Sequence, residues 1–266
     1  MIDLATLEGQ SFGPHPMRIG LEKVREFIAA VDMGPDPWTE AAPPSFISAA
    51  LFVVAPDLLR LLDGYSVLHG DQSFAWNGPL GLERDVSVVG TVSRVREREG
   101  TWFVTFDLEV IDGDGGDLAS GTSLFLVSAS KPDPAADAPD RPAVKAEDRG
   151  FPESGQKAAS RLDLVRYAGA TRDWNPIHWD HDAAIHAGLT GVIAHGLLQA
   201  AWALDAAGGG RPAQRPFASA KIRFRNPLPP ATPVDLVVDS SGASCEVTLE
   251  RGETVFLTAR VTYSEE

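Results

Sequence analysis

The chain has 266 residues, 44% hydrophobic and 23% charged, an ordinary globular composition with length for more than one average domain and a sizeable core. Its net charge of −14 excludes a broad nucleic-acid or anionic-membrane face, which needs a concentrated positive field, so a phosphorylated ligand must meet a local basic cluster. The single cysteine, Cys245, excludes a disulfide framework and a cysteine-only metal cage, and its strand-like run Ser244–Leu249 reads it as a packed side chain.

The chain starts with the acidic Met1-Ile2-Asp3-Leu4 and has no basic segment ahead of an apolar run, so no secretory signal is expected. The most apolar run, residues 46–55, is shorter than the ~18 residues of a membrane span. The expectation is a soluble, cytoplasmic protein with neither a membrane nor a nucleic-acid partner.

Ile19, Leu21, Val24, Phe27, Ile28 and Val31 recur near helical spacing and predict a first amphipathic helix, which runs into Asp32-Met33-Gly34-Pro35. A second, more apolar helix is predicted from Ser45 to Leu62. Strands follow at 73–80, 88–96, 101–111 and 119–129, and the segment TWFVTFDLEVI (101–111) alternates as a half-buried strand should. The intervening Asp112-Gly113-Asp114-Gly115-Gly116-Asp117 lacks the sixth-place glycine of a calcium loop and has Ser123 where the bidentate glutamate belongs. It reads as a tight turn.

Residues 131–157 are rich in Pro, Asp and Ala, and prolines 132, 134, 139, 142 and 152 block helix and strand alike. This linker divides the chain into an N-terminal unit, 1–130, and a C-terminal unit, 158–266. The second unit repeats the element order of the first. A looser helical pattern runs through Leu162, Leu164, Val165, Tyr167 and Ala168, then Asp173-Trp174-Asn175-Pro176, then an apolar helix from Gly196 to Ala207. Strands are predicted at 221–228, 234–239, 244–251 and 253–263. Ser73–Leu80 matches Lys221–Leu228 at an offset of 148 residues (221 − 73), and the offset continues to Val86/Val234 and Val88/Leu236. A gapless block in the same element order indicates an internal duplication.

One long helix followed by four or five antiparallel strands, twice over, is an α+β pattern in which each sheet wraps a central helix. Joining the two sheets edge to edge would cover two exposed edges. The predicted fold is two such antiparallel units, continuous across one chain.

Residues 167–199 carry the chemistry: Tyr167, then Asp173, Asn175, Pro176, Ile177 and His178, then Ala194-His195-Gly196-Leu197. This pattern resembles the MaoC-like (R)-specific enoyl-thioester hydratases and 3-hydroxyacyl-thioester dehydratases, which have the hot-dog fold. Leu68-His69-Gly70-Asp71-Gln72-Ser73-Phe74, leading into Gly78-Pro79-Leu80, is similar to the degenerate N-terminal hot dog of the double-hot-dog members. The resemblance covers nearly the whole chain outside the linker. After Asn226-Pro227-Leu228 the family often has Gly-Asp, whereas this chain has Pro230-Ala231-Thr232-Pro233.

Hydrating a double bond conjugated to a thioester requires a base for water, an acid for the α-carbon and stabilisation of charge on the carbonyl oxygen. A carboxylate and an imidazole five residues apart can converge on one water, with Pro176 stiffening the turn and Asn175 bonding local backbone. The Gly196 amide, opening an apolar helix, suits a developing oxyanion, and glycine allows close approach. The resemblance implies that Asp173 and His178 are the catalytic dyad and Gly196 N–H the oxyanion donor; His195 shapes the loop before it. It also implies a thioester of coenzyme A or acyl carrier protein as substrate, no redox cofactor and no metal, and a homodimer or a partner hot-dog chain.

In the first half, aligning Asp32 on Asp173 puts Pro37 in the place of His178, so that half is expected to shape the acyl pocket without catalysing. The cluster His178, Asp180, His181, Asp182 and His186 matches no metal-ligand spacing, with His181, Asp182 and His186 expected on a solvated helix start, and Trp174 and Trp179 read as packing or pocket wall. No nucleophile elbow, phosphate loop or dinucleotide fingerprint is present. Lys221, Arg223 and Arg225 alternate along one predicted strand and are candidates for the phosphates of the substrate. Two rival readings stand beside hydration: a hot-dog thioesterase, in which a carboxylate directs water at the thioester carbonyl, and a non-catalytic acyl-binding or partner subunit.

Overall fold

A computed structural model of the chain describes residues 2–34, 37–129, 155–209 and 216–265. The first half runs β1 (Ser11–Ile19), α1 (Leu21–Ala30), α2 (Ile47–Leu61), β2 (Tyr65–Trp76), β3 (Arg84–Arg98), β4 (Thr101–Asp112) and β5 (Asp117–Ala129). The second runs β6 (Gln156–Lys157), α3 (Arg161–Thr171), α4 (His181–His186), α5 (Gly196–Gly208), β7 (Phe217–Phe224), β8 (Val234–Ser241), β9 (Ser244–Arg251) and β10 (Thr254–Tyr263).

Among the described residues the ten strands form one sheet in the order β1-β3-β4-β5-β2-β7-β10-β9-β8-β6. Read outward from the centre, β2/β7, β5/β10, β4/β9, β3/β8 and β1/β6 are the duplicated pairs. The halves therefore join edge to edge through β2 and β7, which run antiparallel. At that junction Ser73 faces Lys221, the pair that the 148-residue offset makes equivalent. A residue facing its own duplicate marks a local two-fold axis, the arrangement of an isologous interface built into one chain.

Apolarity on nearly every side explains why α2 and α5 lie inside the curve of the sheet. Leu51, Val54, Ala55 and Leu58 of α2 are fully buried, as are Ala201, Ala203 and Leu204 of α5. The stretch Pro44–Leu61 is helical over 18 residues and apolar enough to cross a membrane by length and composition, which the shorter run at 46–55 did not suggest. Most of it packs into the core instead. On β4, Val104, Phe106, Leu108 and Val110 are buried, the alternation read from the sequence. α3 opens with a capping box, Ser160 Oγ accepting from the Asp163 amide while the Asp163 carboxylate accepts from the Ser160 amide.

Several expectations need correction. β1 was missed and Ile19 counted into a helix: Gly13, Pro14 and Pro16 argue against a strand, yet β1 is an edge, where a missing N–H is tolerated. β2 begins at Tyr65, eight residues before the predicted start, and both junction strands end before the duplicated Asn-Pro or Asn-Gly-Pro turn. Leu162 and Val165 are exposed, so of the predicted positions only Leu164, Tyr167 and Ala168 are buried, and Ala170 and Thr171 complete the buried face of α3. Residues 131–154 of the predicted linker lie outside the described residues, and its last part, Gln156–Lys157, pairs with Val234 and Asp235.

Candidate active site

The turn that carries Asp173 begins where α3 ends. Arg172 adopts the left-handed conformation (φ 69°) and turns the chain so that Asp173 enters the interior. Asn175 then holds the turn at two points: its side-chain oxygen accepts from the Ile177 amide at 3.4 Å, and its amide nitrogen donates to the Val67 carbonyl of β2 at 3.3 Å. Pro176–His178 form a single 3-10 turn, with Pro176 in its first position, where a missing N–H costs nothing.

His178 lies 2.9 Å through Nδ1 from the Ile193 carbonyl. A carbonyl only accepts, so Nδ1 carries the proton and Nε2 keeps a lone pair. His195, fully buried, donates through Nε2 to the Asp173 carbonyl at 3.3 Å and stacks on His178 with ring centroids 3.8 Å apart. Tyr167 also touches His195, at 4.9 Å between centroids, and its hydroxyl reaches Ser48 Oγ on α2.

Gly196 is the first residue of α5, so its amide belongs to the helical turn that has no intrahelical acceptor. A Cβ there would lie 2.9–3.0 Å from three atoms of the Phe224 ring, which makes glycine a steric requirement. Asp173, His178 and Gly196 line one cleft of about 210 Å³. Phe52 and Leu59 of α2, Val67 to Gly70 of β2, and Phe125 and Leu126 of β5 line it from the first half. The cleft thus lies where the two halves meet.

Burial dominates its electrostatics, disfavouring whichever form is charged. The Asp173 carboxyl is pushed up to about 7, against a small opposing contribution from the Asn175 amide. The His178 imidazole is pushed down to about 4 and His195 well below its ordinary value. Near neutrality the cleft therefore presents a carboxyl that still holds its proton for much of the time, beside an imidazole with a free lone pair.

Asp173, His178 and His195 place one ligand-type atom each within 4.8 Å of one another, the group among the described residues able to hold a cation. It shares only His178 with the cluster considered for that role from the sequence. His181, Asp182 and His186 are spent on α4, where Asp180 caps the helix through the Asp182 and Ala183 amides and His186 Nδ1 bonds the Asp182 carbonyl. Trp174 and Trp179 are about half exposed and outside the cleft lining, so the expectation of pocket wall fails; Trp179 Nε1 donates to the Trp174 carbonyl.

The basic stripe is also revised. β7 ends at Phe224, so the alternation covers Lys221 and Arg223 on the outer face and does not reach Arg225, which lines the cleft instead. Arg223 pairs with Asp71 across the junction at 3.4 Å. In the first half, the Asp32 side chain is 90% exposed and held by Lys157 at 3.0 Å. Among the cleft residues that sequence reading left without a role are His69, Gln199, Phe224 and Val67. For His69 a signal existed, a histidine beside a glycine in a strand.

Residues 143–258 match the family described as MaoC like domain. A UPF0336 protein of Streptomyces avermitilis is 30% identical over 140 residues, 46% of this chain and 93% of that protein. Among solved structures, a MaoC-like dehydratase has a TM-score of 0.78 at 23% identity, covering 98% of this chain and 100% of that one. HtdX of Mycobacterium tuberculosis has a TM-score of 0.75 at 20% identity, covering 96% and 100%. An acyl-ACP thioesterase from Bacteroides thetaiotaomicron shares the fold more distantly, with a TM-score of 0.60 at 12% identity over 95% of this chain and 98% of that one. At these identities the structural likenesses speak for the fold, a double hot-dog. Residues 143–258 carry the MaoC like domain, and over about half its length the chain belongs to the UPF0336 proteins.

Proposed function

We propose that the protein catalyses the reversible hydration of a trans-2-enoyl thioester to the (3R)-3-hydroxyacyl thioester. The observation that carries this reading is the pairing, in one apolar cleft, of a carboxyl raised to about 7 with an imidazole whose Nε2 lone pair is free. Hydration needs one proton taken and one given, and this pair supplies both from uncharged groups.

In the forward direction His178 Nε2 accepts a proton from water as the water oxygen bonds to C3. The π electrons of the C2=C3 bond move towards the carbonyl, whose oxygen gathers charge against the Gly196 N–H at the positive end of α5. Asp173 then delivers its proton to C2. Proton return from His178 to Asp173 restores the starting state. Both groups act on one side of the bound chain, which makes the addition syn.

No redox cofactor or metal takes part in these steps; coenzyme A or a phosphopantetheine arm carries the acyl group. Arg225, lining the cleft, is the basic group proposed to meet the phosphate-bearing end, and Lys221 and Arg223 supply charge on the outer face. The cytoplasm, where such thioesters are made, is the proposed location, and pairing with a second copy or a hot-dog partner is the proposed assembly.

Thioester hydrolysis is the second reading, favoured by the fold shared with an acyl-ACP thioesterase. The test is purified protein with crotonyl-CoA and a longer enoyl-CoA, following the conjugated enoyl absorbance with a thiol reagent in parallel. Absorbance loss without thiol, abolished in Asp173→Asn and His178→Ala, is the expected result. Thiol release would move the assignment to hydrolysis.

A further inference from the structure

The first half contributes more than apolar wall to the cleft. β2 carries a bulge at Gly70: His69 is paired with Phe125, Asp71 with Leu124, and Gly70 has no opposite number on β5. Residues directly opposite in a sheet share a face, and both Phe125 and Ser123, the partner of Gln72, are buried on the inner one. The extra residue is what lets His69 and Gln72, three apart, share that face. The bulge thus aims His69 into the interior at the cleft.

Two phenylalanines fix its ring there, Phe125 of the first half and Phe224 of the second, each with a centroid 5.0 Å away. Phe224 is the ring that leaves room only for glycine at position 196. Two residues before His69, the Val67 carbonyl accepts from Asn175 of the catalytic turn. His69 is therefore tied on both sides to the elements that carry Asp173, His178 and the Gly196 amide.

Its Nε2 atom, however, is shut off from solvent and has no partner in hydrogen-bond geometry, although the Gln72 side chain and the Asp71 backbone lie near enough to act on the ring. A buried polar atom left unpaired is destabilising, and a sequence needing only an apolar filler between two phenylalanines would place a third there. The cleft that His69 lines is where the missing partner can arrive.

We propose that His69, supplied by the non-catalytic half, is a substrate-contacting residue whose Nε2 hydrogen-bonds a polar group of the bound acyl thioester. The inference rests on the thioester reading of the same cleft. The hydrogen-bonding group is a hydroxyl or amide, either the 3-hydroxyl of the acyl chain or an amide of the pantetheine arm.

The test is equilibrium binding of butyryl-CoA and of (3R)-3-hydroxybutyryl-CoA, in an Asp173→Asn background that prevents turnover, with His69 intact, His69→Phe and His69→Gln. His69→Phe is expected to weaken binding about three- to tenfold while the melting temperature stays level or rises, because the unpaired atom is gone. His69→Gln, which still offers a polar atom, is expected to recover part of the affinity. A loss confined to the hydroxy ester assigns the 3-hydroxyl, and a loss for both esters assigns the arm. Unchanged affinity for both, or a loss matched by a lower melting temperature and not recovered by glutamine, would overturn the proposal. Failure of the unsubstituted protein to bind either ester or to hydrate crotonyl-CoA would instead count against the thioester reading.

Discussion

The His195 ring stacks on the His178 ring at 3.8 Å between centroids, with planes 27° apart, and its Nε2 holds the backbone carbonyl of Asp173. One fully buried residue thus sets both members of the proposed dyad: the plane of the imidazole by stacking and the position of the carboxyl by a hydrogen bond to its main chain. His195 is not among the residues lining the cleft, so this influence is positional.

That division of labour separates two substitutions. His195→Phe keeps an aromatic ring against His178 and loses the bond to Asp173, and is expected to lower kcat about tenfold with little change in KM. His195→Ala leaves a cavity as well, and a loss of roughly 2–4 kcal/mol in stability is expected in denaturant titrations. A His195→Phe enzyme as inactive as His178→Ala would show that the imidazole itself takes part in the chemistry.

Gly196→Ala tests the oxyanion donor. The added Cβ meets the Phe224 ring at 2.9–3.0 Å, so either the ring or the start of α5 must move by several tenths of an ångström. Loss of one oxyanion donor typically costs 10²–10³ in kcat, and a fall of about that size is expected with KM changed far less. The double variant with Phe224→Leu, which frees the space, is expected to regain much of the rate, a recovery that a purely structural defect elsewhere would not give.

At the turn after β7 the chain has Pro230-Ala231-Thr232-Pro233 where the resemblance leads one to expect Gly-Asp, and the structure shows what this costs. Ala231 adopts φ 57°, the left-handed region that glycine occupies without strain, and its amide bonds the Ala159 carbonyl at 2.7 Å. Ala231→Gly is expected to stabilise the fold by about 0.5–1 kcal/mol, the left-handed penalty of about 1–2 less the extra freedom glycine has when unfolded. Thermal melts at fixed pH measure it, and hydration kinetics should not change.

Legibility followed physical cause. Strands β4, β9 and β10 were readable because alternation survives wherever one face is buried, and their predicted limits fall within a residue or so of the observed ones. The duplication was readable because the junction block kept its spacing, and it foretold the edge-to-edge sheet. β1 was illegible, since an edge strand tolerates prolines that local reading treats as breaks. That Asp173, His178 and Gly196 share one cleft was legible because they lie close together in sequence; the place of His69 in it was not, because a bulge in β2 and contacts from the other half set it. The broken basic stripe has the same origin, for where β7 ends is set by its partners β2 and β10 and not by its own residues.

The proposed chemistry uses a protonated Asp173 and a neutral His178, which fixes its pH dependence. The required state exists above the value of about 4 to which burial lowers His178 and below the value of about 7 to which it raises Asp173. A bell-shaped kcat/KM profile between these limits is expected, the same for hydration and dehydration because both directions pass through one total protonation state. Stability should follow the carboxyl with the opposite consequence. A buried acid whose value is raised from 3.8 to about 7 binds its proton more tightly when folded, so stability is greatest below the unfolded value and falls as pH rises towards about 7. Asp173→Asn removes that loss, and a gain of up to about 4 kcal/mol over the wild type is expected at pH 8, shrinking towards zero near pH 4, while activity disappears at every pH. Denaturant melts of the two proteins across this range check it: a gain independent of pH would mean that the carboxyl titrates normally, and the acid assigned to the α-carbon would then have to be another group.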